Sequence, residues 1–274
     1  MTKPKKMIPL QELTLLDRFL FSEAVEDETF LADVLSIIMG EDIVLKNPPQ
    51  TEKEIRDHNL RKYVKLDVFA EDEQDRIYDT EVQKQNTGNL PKRSRYYQAL
   101  TDSKLLEPGD TDYGKLNRVH TIIIAPFDLF QRGRYMYTFQ MRCIEEPDLP
   151  LNDDGYRLFL NTHGTDDENI RPELKAMLEF FENPTEDVAT KSGSDRIRRM
   201  QKRVNTLKHS EETGAKYMRE WEEKAFERQE GREEEKKRIA KNLLAADVDS
   251  KIIVKSTGLT EAQITALKEE PEVI

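Results

Sequence analysis

The chain has 274 residues, enough for one medium domain with its own core plus an appendage. Hydrophobic residues make up 36% and charged residues 35%, and no stretch approaches the ~20 consecutive apolar residues of a membrane helix. The formal net charge of −11 is unevenly placed: residues 1–190 carry −13 and residues 191–241 carry +5, so the main body lacks the overall positive charge usual in a nucleic-acid binder. The N-terminus, MTKPKKMIPL, is basic without the apolar run of a signal peptide. The single Cys143 cannot form an internal disulfide, and a reducing, cytoplasmic setting is expected. Cys143 itself is expected as a small buried strand residue.

Leu13 to Met39 has helical periodicity, with Leu13, Leu16, Leu20 and Ala24 on one face. Asp27 before Phe30 predicts a break and a new cap, and Gly40 a stop. Asn47-Pro48-Pro49 is a loop. Tyr63–Ala70 (YVKLDVFA) and Ile77–Gln83 (IYDTEVQ) are rich in β-branched and aromatic residues, and the polar Glu71–Arg76 between them predicts a hairpin. Pro91–Leu106 is a helix ended by Pro108-Gly109, Val119–Ala125 (VHTIIIA) a buried strand, Arg134–Cys143 and Tyr156–Leu160 further strands, and Pro172–Phe181 a helix. This order predicts an α/β domain with a mixed sheet over residues 1–184.

Residues 185–193 read as a linker. Residues 194–241 form a charged helical segment, opened by the basic block RIRRMQKR and suited to pairing with another helix. Residues 242–274 form a small helical module. Its turn, Thr257-Gly258-Leu259-Thr260, resembles that of a helix-turn-helix. The following helix, however, sets only Lys268 against Glu261, Glu269 and Glu270, which favours packing or assembly over DNA reading. Self-association is therefore expected through the C-terminal helical region.

The chemistry concentrates in the hairpin. Glu81 and Gln83 lie two apart in one strand and share a face, with Val82 opposite. If the register brings Asp67 near Glu81, two carboxylates converge, and like charges so close need a cation between them. Hard oxygen donors, with the Val82 backbone carbonyl completing the shell, favour Mg²⁺ or Mn²⁺. From spacing alone, two acids at a solvated hairpin edge explain the same residues equally well. Lys84, Lys92, Arg93 and Arg95, with the ring of Tyr96, form a basic run suited to phosphate and so to DNA. His58, His120, His163 and His209 show no metal-ligand spacing.

The run LDVFAEDEQDRIYDTEVQKQ, followed by Arg95-Tyr96-Tyr97, resembles the recombination-promoting nuclease (Rpn) family of transposase-like proteins in the PD-(D/E)XK superfamily. The opening LTLLDRFLFSEAVED and the tail IAKNLLAADVDSKIIVKSTGLTEAQITAL resemble that family too. The resemblance implies a restriction-endonuclease-like α/β core flanked by helices, with a C-terminal helical extension. It implies Asp67 and Glu81 as metal ligands, Asp17 as an additional acid from the first helix, and Gln83 where related nucleases carry Lys. Gln can orient water or phosphate but supplies neither charge nor a base. The implied function is Mg²⁺-dependent DNA cleavage by an endonuclease tied to recombination or DNA mobility. The alternative, motivated by Gln83 and the acidic body, is a catalytically weak nuclease-like protein that acts as a binding or regulatory partner.

Overall fold

The computed structural model describes residues 7–55, 64–106, 109 and 111–269, with the side chains of 52–55, 64–67 and 269 outside the description. His58, Tyr63, Pro108 and Glu270 lie outside the described residues. Two helices open the fold, α1 (Arg18–Val25) and α2 (Glu28–Met39). The Asp27 carboxylate accepts from Phe30 N at 3.0 Å and caps α2. Gly40 ends α2 in the left-handed region at φ 80°, as its sequence position predicts.

Six strands follow among the described residues: β1 (Gln50–Ile55), β2 (Val64–Glu71), β3 (Ile77–Val82), β4 (Val119–Ala125), β5 (Met136–Phe139) and β6 (Gly155–Asn161). They form one sheet in the order β1-β2-β3-β4-β6-β5. Pairing is antiparallel for β1/β2, β2/β3 and β5/β6 and parallel for β3/β4 and β4/β6. The mixed sheet is the one expected. β4 is buried along its whole length because it lies between two parallel strands. β1 is the addition: its sequence, QTEKEI, has little strand propensity, and pairing with β2 decides its conformation. β5 is shorter than predicted. Cys143 lies beyond it, partly exposed, with its thiol donating to Glu145 Oε2 at 3.2 Å, so the expected buried strand position is corrected.

Helix α3 (Leu90–Asp102) is the crossover that two parallel neighbours, β3 and β4, require. Leu90 packs with Ile123 and Phe159, and Leu100 with Phe69, so α3 covers the sheet face that carries the odd-numbered residues of β3. On the other face Tyr78, His120 and Tyr156 stack in series, with 5.2 Å between successive ring centroids.

Helices α4 (Pro172–Glu182), α5 (Glu186–Lys191) and α6 (Asp195–His209) complete the first compact unit, which runs to Thr213. The segment expected as a linker is thus largely α5, capped by Thr185 and holding buried Val188 and Ala189. The basic block lies on α6. Its apolar residues Ile197, Met200, Val204 and Leu207 recur at helical spacing and are buried. Its arginines meet acids: Arg196 pairs with Asp42 and Glu173, and Arg199 with Asp33.

The second compact unit is Gly214–Ile274. Most of α7 (Glu211–Ala245) belongs to it, followed by α8 (Ser250–Thr257) and α9 (Glu261–Glu269). Ala240, Ile253, Leu259, Ile264 and Leu267 form its core. Thr260 and Gln263 make a reciprocal capping box at the start of α9: Gln263 N donates to Thr260 Oγ1 at 3.2 Å, and Thr260 N to Gln263 Oε1 at 2.8 Å. No helix among the described residues is long and apolar enough to cross a membrane.

Candidate functional site

The hairpin is locked at its turn. Asp72 is buried and accepts hydrogen bonds from Gln74 N and Arg76 N at 2.9 Å, Arg76 Nε at 2.7 Å and the Tyr78 hydroxyl at 2.9 Å. Burial alone would raise its pKa, but the hydrogen bonds from Arg76 and Tyr78 prevail and hold it below the ordinary carboxylate value. Part of the acidic turn is therefore a structural lock. It sets the register: Phe69 faces Asp79, and Val68 faces Thr80. Continued by one step, that register sets position 67 opposite Glu81.

Asp79 and Glu81 on β3, and Gln83 just after it, alternate onto the face covered by α3. Asp79 is buried there, an acid that the sequence-derived site lacks although the D-x-E-x-Q alternation marks it. Arg93, in the first turns of α3, reaches back to this row. Its NH2 nitrogen donates to Glu81 Oε1, as an ion pair, and to Gln83 Oε1 at 2.6 Å. Gln83 Nε2 donates to the Gln85 carbonyl at 2.7 Å, which turns the amide oxygen toward Arg93. The side chains of Glu81 and Arg93 are 13% and 23% exposed, so the pair is largely withdrawn from water.

Asp17 stands at the N-cap position of α1. Its Oδ2 accepts from Thr14 N at 2.9 Å, and its Oδ1 accepts from Lys84 Nζ at 2.6 Å. Lys84 thus leaves the face of Gln83, as strand alternation predicts, and ties the segment after β3 to α1. Lys92, Arg95 and Tyr96 are exposed on α3. Arg93 lies over the Tyr97 ring, 5.6 Å from its centroid.

Among the described residues, no group of three or more His, Cys, Asp or Glu side chains is arranged to hold a metal ion. The Asp67 side chain lies outside the description. What the structure does present is a carboxylate oxygen and an amide oxygen converging on one cationic nitrogen, that of Arg93. Both are hard oxygen donors, so this pair fits a small divalent cation better than a soft one.

Residues 16–246 match the family described as PD-(D/E)XK nuclease family transposase. Residues 233–269 match the C-terminal HTH domain of the Rpn/YhgA-like nuclease family. The second match covers the end of α7 together with α8 and α9, where the turn had suggested a helix-turn-helix. No curated protein and no solved structure matches the chain.

Proposed function

Since the chain belongs to the PD-(D/E)XK nuclease family of transposases, we propose that it is a divalent-metal-dependent DNA endonuclease whose centre is Asp67 on β2 with Glu81 on β3 and Gln83 just after it. The observation that carries this reading is the convergence of Glu81 Oε1 and Gln83 Oε1 on one positive nitrogen, at a strand pair whose register, continued one step beyond Val68 and Thr80, would bring position 67 across from Glu81. Asp67, Glu81 and the Val82 carbonyl would hold Mg²⁺ or Mn²⁺. When bound, such an ion supplies charge for the attacking water and for the phosphate in the transition state.

The chain's own residues supply placement. Gln83 orients water or a phosphate oxygen through its amide, because it has neither charge nor a basic atom. Lys92 and Arg95, exposed on the helix beside the site, contact backbone phosphates. Asp17 holds Lys84 and so fixes the segment that follows Gln83. The HTH match supports DNA as the substrate, and the transposase family a role in DNA mobility.

The test is cleavage of supercoiled plasmid with Mg²⁺ by the wild type and by Asp67→Ala and Glu81→Ala. The proposal expects loss of at least ~100-fold in rate in either variant, the scale on which removing a preorganised electrostatic group acts. Equal cleavage by all three would overturn it.

A further inference from the structure

Arg93 does more than neutralise an acid. Its NH2 nitrogen occupies Glu81 Oε1, which the preceding reading gives to the metal, and Gln83 Oε1, which that reading leaves to orient water or phosphate. Its Nε, by contrast, is buried and has no hydrogen-bond acceptor among the described residues. Buried guanidinium donors without an acceptor are rare, and a free one marks a place for an oxygen ligand. The guanidinium also lies over the Tyr97 ring, a second support independent of the acids. Its backbone is held firmly, with Arg93 N donating to the Asn89 carbonyl at 2.9 Å.

We propose that Arg93 is an exchangeable counter-ion that couples metal loading to DNA binding. In the metal-free protein it bridges Glu81 and Gln83. A divalent cation competes for the Glu81 carboxylate, and two positive centres within one hydrogen-bond length repel strongly in a site this dry. Arg93 therefore leaves as the cation enters. Released, it adds a bidentate phosphate donor beside exposed Lys92 and Arg95. Each ligand then favours the other, because metal frees the arginine for phosphate and phosphate keeps the arginine away from the acids. This rests on the metal-dependent reading above, and it assigns Arg93 a coupling role that simple phosphate contact does not contain.

The experiment is calorimetric titration of the full chain with Mn²⁺, alone and with a phosphorothioate-linked duplex that resists cleavage. The wild type should bind Mn²⁺ several-fold more tightly with the duplex present. Arg93→Ala should bind Mn²⁺ alone about tenfold more tightly than the wild type, the scale of one lost charge-assisted competitor, and the duplex should no longer tighten it. Should Arg93→Ala melt well below the wild type, Arg93→Gln, neutral but still able to hydrogen-bond Glu81, is expected to show the same two changes. Mn²⁺ binding that is abolished by Glu81→Gln but no tighter in either Arg93 variant would overturn the exchange and leave the metal centre standing. Absence of Mn²⁺ binding in the wild type and in both Arg93 variants would overturn the metal centre and the exchange together.

Discussion

Arg199 grips Asp33 with two nitrogens, Nε to Oδ2 at 2.9 Å and NH2 to Oδ1 at 2.6 Å, and so fastens α6 to α2. Asp33 is buried while the arginine is half exposed, so water and salt screen part of this pair. Asp33→Ala should therefore cost about 1–2 kcal/mol, below the ~3–5 of a fully buried pair that loses one partner. Urea denaturation at neutral pH measures this. Helix α6 belongs to the first unit. A chain ending at residue 213 should melt cooperatively, whereas one ending at residue 190 loses the buried Ile197, Met200, Val204 and Leu207 and should not.

The stacked His120 predicts acid sensitivity. Burial, followed by the nearby charges of Arg76 and Arg118, lowers its pKa from 6.5 to about 4. The folded state thus refuses a proton that the unfolded state accepts. Stability is unaffected by this group above pH 6.5, falls as pH drops from 6.5 toward 4, and levels off below that. At pH 4.5 the loss should be on the order of 2 kcal/mol relative to pH 7. His120→Phe, which keeps a ring in the stack, should remove most of that difference between urea melts at the two pH values.

Asp72 acts in a lower window. Its pKa is held below the ordinary 3.8, so its contribution is complete above that pH and is lost as pH falls through the folded-state value. Asp72→Asn cannot accept all four hydrogen bonds or balance Arg76, and should cost about 3 kcal/mol at pH 7. Hydrogen exchange at the β2 and β3 amides should rise with it, because the lock of the hairpin is gone.

Salt dependence separates the basic residues of the proposed DNA face. Lys92→Ala and Arg95→Ala should each reduce the slope of log affinity against log salt by about 1. Lys84→Ala should change the slope less, because Lys84 is already paired with Asp17. Fluorescence anisotropy of a short labelled duplex across a salt series reads all three.

Much of the fold was legible because its determinants are local. Asp27 and Gly40 carry cap chemistry in their own residue types, and the apolar run of β4 announces burial between parallel strands. Alternation placed Glu81 and Gln83 on one face and sent Lys84 to the other, and the HTH turn stands in Thr257–Thr260. The misses share a cause, which is that their energies depend on distant partners. QTEKEI becomes a strand only by pairing with β2. The block RIRRMQKR looks solvated until its arginines meet Asp33, Asp42 and Glu173, residues remote in sequence.

The acidic hairpin shows the division most clearly. Spacing offered Asp67, Glu81 and Gln83, the family resemblance made them one candidate set, and the residue type of Gln83 alone says that it can orient but not ionise. Only the tertiary structure decided which cation of the basic run answers Glu81 and Gln83. The crossover between parallel β3 and β4 forces α3 over the odd-numbered face of β3, and that packing, which no local pattern encodes, brings Arg93 onto Glu81 and Gln83 while Lys84 is drawn away to Asp17.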